Sequence, residues 1–116
     1  MPQVSEALYE KTLYALTAEA HRDWLDVGRT ADWYWGDFDR VPPYSDIRPF
    51  AVRAVRDLIN AGAVAGDIVA EGDQPWRFEP WQVTPEQAID RITCGLEERD
   101  SYLDEPGELG WLHFPD

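Results

Sequence analysis

Residues 45–81 read SDIRPFAVRAVRDLINAGAVAGDIVAEGDQPWRFEPW, and the order of signals in this stretch decides the fold. Ala51, Val52, Val55, Leu58 and Ile59 recur at helical spacing and define one apolar face. Arg53, Arg56, Asp57 and Asn60 take the opposite side. The spacing predicts a helix over Asp46–Ala61. Ser45 or Asp46 is the expected N-cap, because a short polar side chain there accepts from an orphaned backbone N–H. Pro49 is expected in the first turn, where its missing N–H costs nothing. Gly62 is expected to be the left-handed residue that stops the helix. Two extended runs follow, Ala63–Glu71 and Trp76–Trp81, on either side of the turn formers Gly72-Asp73-Gln74-Pro75. Gly66-Asp67 marks a bulge or a late start to the first strand. Helix, glycine stop and hairpin in this order are the ingredients of a winged-helix layout, but folds that never touch nucleic acid share that order.

The flanking segments read as material packed onto this unit. Over Gln3–Trp24, Tyr9, Leu13, Leu16, Ala20 and Trp24 follow at intervals of three or four and predict a first helix, with Ser5 as its cap. Val27, Ala31, Tyr34 and Phe38 continue helical spacing and predict a second helix over Asp26–Trp35, capped by Asp26 and ended by Gly36. No single face can bury Trp33, Tyr34 and Trp35 together, so at least one large aromatic belongs at the surface or under the following loop. Val41-Pro42-Pro43-Tyr44 is a stiff extended connector. Thr84-Pro85-Glu86-Gln87 is the clearest local signal: Thr84 as cap, Pro85 at the first helical position and Gln87 closing a capping box. Ala88, Ile89, Ile92 and Leu96 give that last helix its buried face, to about Arg99, with Gly95 as a weak point. Cys94 lies about 200° from Ile92 on the helical wheel and is expected to be exposed. Asp100–Gly110 reads as an acidic loop. Trp111–Phe114 reads as a closing strand, with Leu112 and Phe114 on one face and Trp111 and His113 on the other. The sum is one α+β domain over residues 1–116: three to four helices on a two- to three-stranded antiparallel sheet, winged-helix-like.

Charge narrows the function classes. Across 116 residues there are 23 acids against 10 bases, a net of −13, with 44% hydrophobic residues. That much apolar content supports a core. The acid excess opposes binding to a phosphate backbone, which needs clustered Lys and Arg. It also opposes docking to anionic lipid and favours steering toward a basic partner. The excess is uneven: residues 1–45 hold eight acids and four bases, 46–82 hold six and four, and 83–116 hold nine and two. One cysteine permits no intramolecular disulfide, which suits a reducing compartment. The start of the chain has no basic-then-apolar leader pattern, and no apolar run approaches the roughly 18 residues of a membrane span. The expected location is cytoplasmic.

Constellations with the chemistry for catalysis are weak. Asp37 and Asp39 flank Phe38 in a D-x-D pair that suits a divalent cation or a polar loop. His21 and His113 lack the ligand spacing of a zinc site. Glu97 and Glu98 beside Cys94 oppose a reactive thiolate. Glu97-Glu98 and Asp104-Glu105 read as a solvated acidic face rather than a general acid and base. The chain has no Gly-rich phosphate loop, no G-x-S-x-G and no H-E-x-x-H. The expectation is therefore no enzyme, no cofactor and no metal. Six Trp exceed the usual need of a small core, and Trp is a frequent interface anchor. Trp33, Trp35, Asp37, Asp39 and Tyr44, with Glu97, Glu98, Asp104 and Glu105, form the candidate interaction surface; a Trp-rich core is the plainer alternative. Arg48, Arg53, Arg56 and Arg77 are the candidate nucleic-acid contacts. They compete with Asp46, Asp57, Glu71, Asp73 and Glu79 in the same unit.

The run from Val55 to Ile68 (VRDLINAGAVAGDI), with Phe78-Glu79-Pro80-Trp81, the capped stretch from Thr84 to Ile92 and the closing Trp111–Phe114, resembles a group of small uncharacterised, mainly actinobacterial acidic proteins. The resemblance covers roughly residues 50–114. It is carried by caps, turns and core positions and brings no catalytic motif. By analogy with other small acidic chains, it implies an immunity- or antitoxin-like protein. The leading expectation is a non-enzymatic protein-binding module for a basic partner. The alternatives are a winged-helix nucleic-acid-binding regulator and, after it, a small metal-dependent or hydrolytic enzyme. The sequence leaves a homodimer open.

Overall fold

The computed structural model of the protein describes residues 5–32, 42–73, 75–102 and 105–115. Its elements are α1 (Glu6–Arg22), β1 (Leu25–Asp26), α2 (Arg29–Asp32), α3 (Tyr44–Asn60), β2 (Val64–Val69), β3 (Arg77–Pro80), α4 (Pro85–Glu97) and β4 (Trp111–His113). Among the described residues, four helices and a four-stranded antiparallel sheet make an α+β fold.

α3 lies at its centre and buries Ile47, Ala51, Ala54, Val55, Leu58 and Ile59. Its start differs from expectation. The N-cap is Pro43, with no side-chain cap bond, and Ser45 and Asp46 lie inside the first turn. The stiff Pro42-Pro43 connector sets the chain direction, so no polar cap is needed to do so. Pro49 falls within the helix, a turn later than expected, and removes one backbone bond near the start. The end is as expected. Gly62 has φ 115°; its N–H donates to the Ile59 carbonyl at 3.0 Å, and the Ala63 N–H donates to the Leu58 carbonyl at 3.0 Å. These two bonds close a Schellman motif and satisfy carbonyls that the helix end would orphan.

α4 carries the full capping box. The Gln87 N–H donates to Thr84 Oγ1 at 3.1 Å, and the Thr84 N–H donates to Gln87 Oε1 at 2.9 Å. It stops at Glu97, short of Arg99. Gly95 is also a seat: a Cβ there would lie 2.6 Å from Leu109 Cδ2, so its absence lets the acidic loop pack onto the helix. α1 starts from the Ser5 cap, whose Oγ accepts from the Leu8 N–H at 3.0 Å, and buries Tyr9, Thr12, Leu16 and Ala20. It ends at Arg22, because Asp23 is already extended, and Trp24 lies beyond it.

The helix expected over Asp26–Trp35 is replaced by two short elements. Asp26 is part of β1, and its carboxylate accepts from the Gly28 N–H at 3.0 Å across a turn. Only the single turn α2 follows; the remainder of that expected helix, from residue 33, lies outside the described residues. β1 forms because Leu25 and Asp26 find partners in Leu112 and Trp111, far along the chain. It brings the sheet to four strands, one more than expected, in the order β1-β4-β2-β3. β4 does pair with the hairpin, through β2. The register Gly66↔Pro80, Asp67↔Glu79 runs without interruption, so Gly66-Asp67 is no bulge. Gly66 serves a close approach: a Cβ would lie 2.4 Å from the Glu79 carbonyl oxygen.

Candidate functional site

The two faces of the sheet differ. Leu25, Leu112 and Ala65 stand side by side in register and are buried against the helices. Alternation places Val64, Ile68, Phe78, Trp111 and His113 on the opposite face. All five stay half-buried. They shield one another. The Phe78 ring leans over Gly66 and lies 5.6 Å, centroid to centroid, from the His113 ring. Trp76, two residues before Phe78 in the extended run, is 66% exposed. Val64, Ile68, Phe78 and Trp111 therefore line the face turned away from the core, whereas Asp67, Val69, Arg77 and Glu79 alternate onto the core side.

The outer edge of this face is guarded. Trp81 N–H donates to the Ala65 carbonyl at 3.0 Å, which fixes Phe78 and Pro80 as the β3 residues whose backbone points outward. Pro80 has no N–H, so the edge offers little to an added strand.

Around the sheet, arginines sit over aromatic rings beside acids. Arg91 sits 3.7 Å over the Trp81 ring, whose indole N–H donates to Asp67 at 3.0 Å. Arg53 sits 3.9 Å over Tyr9, whose hydroxyl donates to Asp57 at 2.7 Å. Burial, then the hydrogen bond to the Asp57 carboxylate, holds the Tyr9 phenol well above its usual pKa. Arg53 also binds both oxygens of Glu6, at 2.6 and 2.9 Å, which pulls the Glu6 carboxyl below its ordinary range.

The structure describes only part of the surface expected from sequence. Trp33, Trp35, Asp37, Asp39 and Asp104 lie outside the described residues. Tyr44 does not belong to a surface: it is 3% exposed, its ring packs edge-on against Tyr102, and its hydroxyl donates to the Leu96 carbonyl at 2.6 Å. Its position as the first residue of α3 swings it under α4. Glu97, Glu98 and Glu105 are exposed. The Cys94 thiol is exposed too and donates to Glu98 at 3.2 Å; that bond and the nearby negative charges raise its pKa.

Of the four arginines considered for nucleic acid, Arg77 is held by Glu71 and Glu79, and Arg53 by Glu6. Arg48 donates to the Glu97 carbonyl at 3.2 Å, and Arg56 is exposed. The two histidines serve packing. His21 stacks on Phe114 at 4.1 Å. His113 Nδ1 faces the Ala20 and Asp23 carbonyls at 3.0 and 3.2 Å, so in the neutral ring it carries the proton. Among the described residues, no group of three or more His, Cys, Asp or Glu is placed to hold a metal. No helix among them is long and apolar enough to cross a membrane.

Trp76, Phe78 and Trp111 were not singled out as a surface from sequence. A signal was present: Trp76, Phe78 and Pro80 alternate with Arg77 and Glu79. Alternation alone reads as apolar-in, polar-out, the reverse of what this hairpin does. None of the four described Trp belongs to the buried core. No protein-family model, no curated protein and no solved structure matches the chain.

Proposed function

We propose that the protein is a non-enzymatic protein-binding module for a basic partner, of the immunity-protein or antitoxin kind. The observation that carries this reading is the net charge of −13, together with the way the chain's cations are used. Arg29, Arg53, Arg77 and Arg99 are each bound to acids of the same chain. The surplus acids, including Glu97, Glu98 and Glu105, stay at the surface. Such a surface raises the encounter rate with a cationic protein and repels phosphate backbones.

Affinity capture from lysate of the source cells tests it. The expected result is a stoichiometric protein of basic pI that is retained in low salt and whose association slows as salt rises. Recovery of no stoichiometric partner, or of nucleic acid in its place, overturns the proposal.

A further inference from the structure

We infer that the aromatic face of the sheet, from Trp111 across Phe78 to Trp76, is where the partner docks, and that it receives arginine side chains from a basic segment. The inference rests on the reading of a basic partner and adds the surface and the chemistry. The face is apolar and lies on the side of the sheet away from the core. Its most exposed member, Trp76, is a residue type that anchors interfaces. Its surroundings are acidic. Asp26 is the cross-strand neighbour of Trp111, and Glu71 and Asp73 occupy the hairpin turn. Arg77 is the only Lys or Arg in the four strands, and Glu71 and Glu79 hold it.

The fold shows what such a combination accepts. Trp81 with Asp67, and Tyr9 with Asp57, each hold a guanidinium of this chain against the ring. A cation over a ring gains more as water is excluded, and the carboxylate that accepts from the ring's own N–H or O–H adds negative charge beside it. The aromatic face sets the half-buried Trp111 beside its cross-strand neighbour Asp26, and it leaves Trp76 66% exposed at the end of the hairpin that carries Glu71 and Asp73. A second copy of the chain is the wrong occupant, because each copy brings a charge of −13.

The test titrates the full chain with a nona-arginine peptide at low salt, following indole N–H signals by NMR and affinity by calorimetry. The Trp76 and Trp111 indole signals shift, Trp76→Ala weakens binding about five- to tenfold, and Trp76→Phe restores most of it. Tyr14→Ala, which removes a 79% exposed ring on α1, leaves affinity unchanged. Trp76 is exposed, so its variants keep the fold, and circular dichroism confirms this. If Trp76→Ala binds as tightly as the parent, or the shifts are confined to residues around Glu97 and Glu98, this face is the wrong one and the basic-partner reading stands. If no arginine peptide binds and affinity capture yields no basic partner, both fall. A concentration-dependent dimer abolished by Trp76→Ala assigns the face to a second copy and overturns the inference.

Discussion

α3 and the hairpin that follows it are separated by three residues and put their apolar side chains to opposite uses. On α3 the apolar stripe faces inward, and Leu58, Val55 and Ala51 are at most 1% exposed. In the hairpin Val64, Ile68 and Phe78 face away from the core, and no residue of β3 is buried. Both segments carry amphipathic patterns of ordinary strength. What differs is the neighbour. α3 is packed by α1, α2 and α4, whereas in the hairpin no residue of β2 beyond Gly66 and none of β3 is buried. The lesson is that periodicity reports which residues share a face and leaves open whether that face looks inward.

Substitutions can break this contrast. Leu58→Ala, in the packed half, is expected to cost about 3 kcal/mol, read as a fall in urea midpoint with an unchanged slope. A cost below about 1 kcal/mol would mean that α3 is not the scaffold. Gly66→Ala, at the junction of the two regimes, puts a Cβ against the Glu79 carbonyl oxygen and the Phe78 ring. It should cost about 2 kcal/mol and broaden hairpin amide signals ahead of those of α3.

Tyr9→Phe, at the seam between α1 and α3, removes the hydroxyl's bond to Asp57 and should cost about 1–2 kcal/mol at neutral pH. The folded state raises this phenol's pKa above its ordinary 10.0. The folded chain therefore favours the neutral form, and its contribution is complete below pH 10 and is lost as pH rises above it. Urea midpoints of the parent should decline above pH 10, and the Phe variant should decline less. Parallel curves would remove Tyr9 from the seam. Trp76→Ala should change stability by less than about 0.5 kcal/mol. A larger loss would show that the hairpin face is part of the scaffold after all.

Much of this architecture is legible in sequence because its determinants are local. Thr84 and Gln87 satisfy each other across three residues, and Gly62 and Ala63 end α3 through bonds that reach back to Ile59 and Leu58. The burial of Leu112 and Phe114 against the partial exposure of Trp111 and His113 also follows from alternation. The candidate site was less legible. Tyr44 read as a surface anchor because Pro42-Pro43 precede it and no helical stripe includes it, yet α4 and Tyr102 enclose it. Trp76 and Phe78 read as one side of a strand and no more.

The sequence by itself determined α3 and α4, the hairpin between them, the exposure of Cys94 and the acid surplus. Caps, turns and helical spacing act within a few residues, and formal charge needs no fold at all. Only the tertiary structure decided the rest. β1 is two residues long, too short to show a period, and exists because β4 lies alongside it. Gly66 and Gly95 are glycines because Glu79 and Leu109 arrive there from elsewhere in the chain. Which face of the hairpin turns toward the core is a matter of packing between distant segments that no local pattern encodes.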